Sequence, residues 1–248
     1  VNGLVGSEMC IRDSFKPVSK YWDRINRPEQ LASTLLEAMR VLTSPAETGV
    51  VTLALPHDVQ AEAFDYPCEL FEKRIWQIQR NLPDNTLIEK TVNKIKKASN
   101  PMIVAGGGAI YSGSESVIKE FSEKHGIPVT ETFAGKGTLH YSNPFNLGGI
   151  GATGTKGANE IAKNSDLVIG VGTRYGDFTT ASKSVWQNKN VEFININVAE
   201  FDAFKNSAIP LQGDARETLK IISHKLENHS TDKGYIEKIK VLSREWDD

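Results

Sequence analysis

Three glycine-bearing loops are the segments of this sequence best suited to hold a charged ligand. They are Gly106-Gly107-Gly108, Gly135-Lys136-Gly137 and Gly170-Val171-Gly172-Thr173-Arg174, and each follows a run of strand length. Backbone N–H groups beyond the carboxyl end of a strand can bind phosphate, especially where a helix begins. The guanidinium of Arg174 is the natural partner for an anion there. We therefore expect these loops to share one crevice.

Each of these features also has a purely structural explanation. Gly106–Gly108 does not form the G-x-G-x-x-G pattern of dinucleotide sites, and its glycines would equally let the loop pack against a helix. Arg174 could instead form an ion pair with Asp177. A further glycine-rich stretch, Gly148–Gly154, fits either a flexible ligand contact or a turn. The sequence alone leaves these alternatives open.

Other kinds of site find little support in the sequence. The five histidines form no i, i+4 pair, and Cys68 has no C-x-x-C partner, so no metal site is predicted. No G-x-S-x-G pattern marks a nucleophile. His125 is expected to stabilise the end of a predicted helix. We predict no catalytic residue and no metal ligand in this chain.

Strands and helices alternate from Asp84 onwards. Six strands are predicted, and several are apolar at nearly every position: Met102–Ala105, Ile127–Thr130, Asn146–Gly148, Asp166–Val171, Val191–Asn197 and Ile209–Gln212. Such strands are typical of a parallel sheet covered on both faces. Helices are predicted after Asp84, from a capping box of Ser112 and Glu115 to Gly126, over Thr155–Lys163, within Thr179–Trp186, and over Asp214–Leu226. The predicted fold class is α/β, with a doubly wound six-stranded parallel sheet.

The first part of the chain predicts a smaller, incomplete unit. A helical pattern after Pro28 is followed by an apolar strand at Val50–Leu55, with no predicted strand beside it. Because a lone helix and strand cannot bury both faces of the strand, we expect a truncated piece of a second α/β domain.

Domain bounds follow from these patterns. Residues 1–14 do not resemble the rest of the chain, and we expect them to be artefactual or disordered. We assign 15–66 to the truncated domain, 67–83 to a linker and 84–227 to the doubly wound domain. Residues 228–248 are expected to form a polar linker with an amphipathic helix.

Composition excludes several classes of protein. The 248 residues include 29 Lys and Arg against 31 Asp and Glu, which argues against a nucleic-acid-binding surface. No apolar run approaches the ~20 residues of a membrane helix. Two cysteines are too few for a disulfide framework. We expect a cytoplasmic protein with neither nucleic-acid nor membrane partners.

Several segments together resemble a known family. They include AMRVLTSPAETGVVTLALPHDVQ, NPMIVAGGGAIYSG, ETFAGKGTL, GGIGATGTKGAN, SDLVIGVGTRYGDF and FININVAEFDAFK. These segments are similar to thiamine-diphosphate-dependent enzymes of the acetolactate-synthase type, and the likeness runs from Phe15 to about Trp246. It implies the end of a pyrimidine-binding domain, a whole central domain of the DHS-like NAD/FAD-binding fold, and the start of a linker towards a pyrophosphate-binding domain.

The resemblance also implies a reaction. SKYWDRINRPEQL and AGGGAIYSG are most similar to the branch that hydrolyses a carbon–carbon bond of a cyclic trihydroxylated 1,2-dione in myo-inositol catabolism, opening the ring to 5-deoxy-glucuronate. Thiamine diphosphate and Mg²⁺ would be held mostly outside this chain. The activating glutamate is expected before Phe15 and the metal motif after Asp248, so the chain alone should be inactive. A small-molecule substrate and a homodimer or homotetramer are expected.

Two other functions stay open on the sequence. One is an acetolactate-synthase-like lyase or decarboxylase of 2-oxo acids, and the other is a non-catalytic module that binds ADP or FAD. Central domains of the family bind FAD, ADP or nothing. The positions that match their nucleotide contacts are Gly106, Gly107, Gly108, Gly135, Lys136, Gly137, Gly172, Arg174, Asn195 and Asn197. Relatives often carry acidic residues at the last two positions, where an asparagine can still donate to a ribose hydroxyl.

Overall fold

The computed structural model describes residues 14–244 and divides the chain into two compact units, residues 1–79 and 80–248. The segment 1–14, expected to be artefactual or disordered, lies outside the described residues except for Ser14.

The first unit contains a parallel pair of strands. Strand β1 (Tyr21–Arg24) pairs with β2 (Val51–Ala54), and helix α1 (Gln30–Thr43) lies between them in the chain. A short helix, α2 (His57–Gln60), follows β2. The expectation that the apolar strand lacks a neighbour is therefore wrong. Strand β1 was missed because its sequence, YWDR, ends in two charged residues and shows no apolar run.

The second unit is built on a six-stranded parallel sheet. In chain order its strands are β3 (Pro101–Ala105), β4 (Val129–Glu131), β5 (Asn146–Gly149), β6 (Leu167–Val171), β7 (Glu192–Asn197) and β8 (Ile209–Gln212). They lie in the order β5-β4-β3-β6-β7-β8, and every neighbouring pair is parallel. The six strands and the doubly wound α/β fold are thus confirmed.

Helices cover both faces of this sheet. In chain order they are α3 (Asn85–Lys97), α4 (Gly107–Tyr111), α5 (Glu115–His125), α6 (Lys156–Asn164), α7 (Asp177–Thr180), α8 (Glu200–Ala203), α9 (Ala215–Leu226) and α10 (Lys233–Arg244). Successive strand residues point to opposite faces. Ile103 accordingly joins an apolar core with α3, α5 and α9, whereas Met102 joins a second core with α6 and α10. Burial on both faces explains why the strands are apolar throughout.

Side-chain caps fix the starts of the longer helices. Asp84 accepts a hydrogen bond from the N–H of Thr86, and Thr155 accepts one from Ala158, at 2.7 and 3.0 Å. Each of these bonds satisfies a helix N–H group that has no partner within the helix. Both helix starts agree with the sequence-based prediction.

Two predicted helices differ from the structure. Ser112 closes α4, and its hydroxyl donates to the carbonyl of Ala109 at 2.9 Å, so the capping box predicted with Glu115 is wrong. The helix predicted within Thr179–Trp186 is limited to the single turn of α7. The chain leaves helical geometry directly after it, at three residues with positive φ: Ala181, Ser182 and Lys183.

The last described helix, α10, is anchored on the sheet. It lies within the segment 228–248, which was expected to be a polar linker with an amphipathic helix. The hydroxyl of Tyr235 donates to the carbonyl of Pro101 at 2.9 Å, Ile239 is fully buried, and Ser243 donates to the carbonyl of Asn146 at 3.0 Å. Within residues 14–244, none of the helices has the length and apolar character needed to cross a membrane.

Candidate functional site at the carboxyl edge of the sheet

The carboxyl ends of β3 and β6 form the switch point of the sheet. These two strands are neighbours, and the chain continues from β3 towards β4 on one side and from β6 towards β7 on the other. Open α/β sheets bind ligands in the crevice at such a point. The loop Gly106–Gly108 follows β3 and the loop Gly172–Arg174 follows β6, so the fold brings both predicted loops to this place.

Direct backbone contacts close these two loops on each other. The N–H of Gly106 donates to the carbonyl of Val171 at 2.8 Å, and the N–H of Gly108 donates to that of Gly172 at 3.0 Å. A Cβ atom at Gly106 would lie 2.3 Å from the Gly172 oxygen. A Cβ at Gly172, which has φ of 61°, would lie 2.4 Å from Cα of Gly108. Close packing of the loops is therefore sufficient to require these glycines.

Gly135 approaches the same point from the loop after β4. A Cβ atom there would lie 2.2 Å from the carbonyl oxygen of Ala105. Gly107 is less enclosed: it is half-buried at the first position of α4, where a helix N–H lacks an intrahelical acceptor. Gly107 is therefore the position of its loop that is best placed to donate to a ligand.

The two asparagines of β7 are buried, and their amides already have protein partners. The hydroxyl of Tyr175 donates to Oδ1 of Asn195 at 2.9 Å, and Nδ2 of Asn195 donates to the carbonyl of Lys205 at 2.9 Å. Nδ2 of Asn197 donates to the carbonyl of Thr173 at 3.2 Å. The asparagine amides thus hold the loops after β6 and β7 in place. Contact of these residues with a nucleotide stays a prediction.

Arg174 is exposed on the loop after β6. Its guanidinium forms no ion pair with Asp177 or with any other residue of the range 14–244. Its backbone carbonyl accepts a hydrogen bond from Nζ of Lys205 at 2.7 Å, which fixes the loop. The side chain is therefore available to an anion at the rim of the switch point.

A separate cleft of about 560 Å³ lies at the carboxyl ends of β4 and β5. Lys136 and Gly137, predicted to act with the switch-point loops, line this cleft instead. So does Glu131, the last residue of β4, which is only 7% exposed. Sequence reasoning missed Glu131, although a carboxylate at the end of an otherwise apolar strand was a usable signal.

Burial shifts the pKa of two side chains, Tyr175 near the sheet edge and His125 on its flank. Desolvation raises the pKa of Tyr175, so its hydroxyl stays protonated as a donor to Asn195. Desolvation lowers the pKa of His125, outweighing the hydrogen bond to the His229 carbonyl that raises it. His125 is fully buried and bonded through Nδ1 to His229 and through Nε2 to Ser223, at 2.6 and 3.0 Å. It acts as a buried hydrogen-bonding link rather than as a charge at the helix end.

The described part of the chain does not fit the metal that the family resemblance implies. Across residues 14–244, no group of three or more His, Cys, Asp or Glu side chains could hold a metal ion. Cys68 is exposed and has a free thiol. We therefore assign the described residues no step that passes through Mg²⁺.

Comparison with known proteins agrees with the α/β fold of the second unit. Residues 88–222 match the family described as thiamine pyrophosphate enzyme, central domain. Over 235 residues the chain is 50% identical to 3D-(3,5/4)-trihydroxycyclohexane-1,2-dione hydrolase of Clostridium tetani, and 48% identical to proteins of the same name from Bacillus cereus and Bacillus anthracis. These matches cover 95% of this chain and 36% of each relative, so the chain spans about a third of their length. The family match extends over more than half of the chain, from α3 to α9, and the chain therefore belongs to the thiamine pyrophosphate enzymes and carries their central domain.

Proposed function

We propose that this chain is the central part of a thiamine-diphosphate- and Mg²⁺-dependent hydrolase. Its substrate would be 3D-(3,5/4)-trihydroxycyclohexane-1,2-dione, whose ring opens to 5-deoxy-glucuronate during myo-inositol breakdown. One observation carries the proposal: identity of 48–50% with the hydrolases extends over 95% of the chain, well beyond the central domain at residues 88–222. The similarity therefore includes the first unit, where the family domain does not match.

The contribution of residues 14–244 to that enzyme is structural. Within residues 14–244 no group of three or more His, Cys, Asp or Glu side chains could hold a metal ion. The glycines at the switch point other than Gly107 are required for close packing of the loops: Gly106, Gly108, Gly135 and Gly172. We assign these residues the task of holding the central domain and presenting its carboxyl edge to the rest of the enzyme. We expect the isolated chain to show no turnover.

A chimera tests this proposal. Residues 15–244 replace the matching third of the C. tetani hydrolase, and ring opening is assayed with thiamine diphosphate and Mg²⁺. We expect a soluble enzyme whose rate lies within about tenfold of the unmodified hydrolase. The matched control carries the central domain of an acetolactate-synthase-type enzyme in the same position. Equal loss of activity in both chimeras would contradict the proposal.

The natural protein that carries this chain is used to distinguish the cyclic dione from 2-oxo acids as the substrate. The same preparation is given the cyclic dione or pyruvate, and acid release and acetolactate formation are measured. Turnover of pyruvate without turnover of the dione would favour the lyase or decarboxylase over the hydrolase.

A second candidate function is nucleotide binding at the switch point. The sheet has the strand order of folds that hold dinucleotides, glycine-bearing loops follow β3 and β6, and Arg174 is an exposed cation at the rim. The phosphates of ADP or FAD would contact Gly107 and Arg174, because the amides of Asn195 and Asn197 are already hydrogen-bonded.

Titration of the chain with ADP and with FAD tests this second function. If it holds, Arg174→Met should weaken binding about tenfold to a hundredfold, the effect of one lost charge-assisted hydrogen bond. Lys189→Met, an exposed lysine on another loop, is the matched control and should leave affinity unchanged. Absence of saturable binding by the unmodified chain would remove the nucleotide function and leave the hydrolase proposal untouched.

Assembly and location complete the proposal. We propose a homodimer or homotetramer, supported by exposed aromatic side chains in the short helices and turns that follow the strands of the sheet: Tyr111, Phe133, Phe178, Phe201 and Phe204. Phe133 and Phe178 contact each other with ring centroids 6.2 Å apart. Light scattering of the chain and of a Phe133→Ser, Phe178→Ser variant tests whether these side chains lie in an interface.

A cytoplasmic location is supported by the free thiol of Cys68, and cell fractionation checks it.

A further inference from the structure

Two opposite charges line the cleft at β4 and β5 without forming an ion pair. The cleft, about 560 Å³ in volume, has Glu131 in its buried part and Lys136 at its exposed rim. Neither side chain forms an ion pair with any residue in the range 14–244, and they do not pair with each other. Buried charges in proteins are normally paired, so the isolated carboxylate needs an explanation.

The carboxylate of Glu131 is held in a fixed position. Its Oε1 accepts a hydrogen bond from the N–H of Leu139 at 3.0 Å, and its backbone carbonyl accepts one from the N–H of Ile150 at 3.1 Å. The other oxygen, Oε2, has no hydrogen-bond partner among the described residues and is not sealed from the cleft. One half of a rigid carboxylate is therefore free to accept a donor from a ligand.

The rest of the lining is largely apolar. Leu139, Leu147 and Ile150 contribute buried aliphatic surface, and the exposed ring of Tyr141 stands at the rim. His140 also lines the cleft, with Nδ1 hydrogen-bonded to the hydroxyl of Ser142 at 2.7 Å. The cleft thus combines a buried acid, an exposed lysine and apolar side chains in its lining.

We propose that this cleft binds an aliphatic α-amino acid as its zwitterion. The ammonium group would donate to Oε2 of Glu131, the carboxylate would face Lys136, and the side chain would pack on the aliphatic wall. Such a ligand supplies both missing counter-charges and covers apolar surface at the same time. This inference does not rest on the proposed reaction, because the cleft is separate from the switch point.

Other ligand classes satisfy only part of this arrangement. A phosphate or a simple carboxylate would be repelled by Glu131, and a purely apolar molecule would leave its carboxylate without a partner. A divalent cation would find one carboxylate in the cleft, and among the described residues no group of three or more acidic, histidine or cysteine side chains could hold it. A simple amine would satisfy Glu131 but would leave Lys136 unused.

The test uses three small molecules of one shape and the ¹⁵N-labelled 248-residue chain. L-Leucine carries both charges, 3-methylbutylamine only the ammonium and 4-methylpentanoate only the carboxylate. The amide signal of Leu139, whose N–H bonds to Glu131, is followed during each titration. We expect saturable binding of leucine and binding of each analogue that is weaker by about tenfold or more.

Two variants test whether Glu131 binds the ammonium group of the ligand and Lys136 its carboxylate. Glu131→Gln should weaken binding of leucine and the amine by about tenfold to a hundredfold and should not weaken the acid, because it removes a like charge. Lys136→Met should weaken binding of leucine and the acid and, for the same reason, should not weaken the amine. Thr153→Trp, at the rim of the cleft, should block all three molecules without removing either charge. Unchanged chemical shifts elsewhere in the spectrum show that each variant is folded.

Three results would overturn the proposal. They are no saturable shift at Leu139 up to about 10 mM leucine, equal affinity for leucine and the amine, or leucine affinity that survives both charge variants. The second result would assign the cleft to organic cations alone.

Discussion

The phenol of Tyr175, in the loop after β6, donates a hydrogen bond of 2.9 Å to Oδ1 of Asn195. Asn195 lies twenty residues further along the chain, in the neighbouring strand β7. Tyr175 adopts a positive φ of 51°, and its ring packs edge-on against Trp186 and Phe193. The loop after β6 is therefore tied to β7 by both a polar and an aromatic contact.

Removing that hydroxyl should destabilise the second unit. Tyr175→Phe leaves the buried Oδ1 of Asn195 without its donor, and we expect the free energy of unfolding to fall by about 1–3 kcal/mol. Urea denaturation followed by circular dichroism measures the change. Tyr111→Phe, at a side chain that is 90% exposed, is the control and should change stability by less than about 0.5 kcal/mol. Equal stability of the two variants would show that the Tyr175 hydroxyl contributes nothing.

Acid should destabilise the chain through His125. Because burial lowers the pKa of His125 below its ordinary value, the unfolded chain binds this proton more readily than the folded chain. Stability is therefore complete at pH values above the unfolded pKa of about 6.5 and is lost as the pH falls below it. Lys124 and His229, which lie near the ring, add repulsion to the protonated form.

Urea denaturation between about pH 8 and pH 5 measures this dependence. His125→Gln should flatten the pH profile, leaving the smaller part due to His229, whose pKa is also lowered by burial. His224→Gln, at an exposed position beside Ser223, should keep the full slope. A profile that is as steep in His125→Gln as in the unmodified chain would assign the slope to other groups.

A side chain at Gly172 should lower the free energy of unfolding by more than the left-handed backbone conformation of that residue alone would. Gly172→Ala combines a positive φ with a Cβ atom 2.4 Å from Gly108, whereas Gly113→Ala has a similar φ and open space around it. We expect about 1–2 kcal/mol of destabilisation at Gly113 from the left-handed conformation, and at least about 3 kcal/mol at Gly172. Thermal or urea unfolding compares the two. Similar losses would mean that the loops can separate without cost.

Arg80 should stabilise the second unit through Asp214. Its Nη1 donates to Oδ2 of Asp214 at 2.6 Å and to the carbonyl of Ser112 at 2.7 Å, and Asp214 is buried at the start of α9. We expect Arg80→Met to cost about 1.5–3 kcal/mol, as for hydrogen bonds to a charged group. The exposed pair of Lys225 with Glu89 provides the control, since Lys225→Met should cost less than about 1 kcal/mol.

The sheet could be predicted from the sequence because its strands are buried on both faces. Apolar residues at successive positions, as in Met102–Ala105, are a direct consequence of that burial and are visible without a structure. Strand β1 has intermediate burial at all four positions and contains charged residues, so the same rule fails there. The capping box at Ser112 failed because Ser112 closes α4, a short helix that begins within the glycines, and a five-residue helix leaves no periodic pattern.

The candidate site could be predicted only as a location. Glycine loops after β3 and β6 follow from strand order, and that part of the prediction needs no side-chain geometry. The hydrogen bond from Tyr175 to Asn195 depends on the positive φ of Tyr175 and joins residues that are twenty positions apart. No local sequence pattern shows such a contact. Gly135 packs against the carbonyl of Ala105, whereas the next residue, Lys136, lines the cleft at β4 and β5, and no local pattern shows that separation.

The anchoring of α10 has a consequence for how the domain behaves among other copies of itself. Strand β5 is at the margin of the sheet, where free carbonyl groups could recruit a strand from another molecule and begin aggregation. Ser243 on α10 donates to the Asn146 carbonyl, while Thr155 donates to the carbonyls of Leu147 and Gly149. Three carbonyl groups of β5 are thereby occupied by the chain's own donors. A polypeptide shortened before α10 would lose part of this protection, and insolubility would be the first sign of its loss.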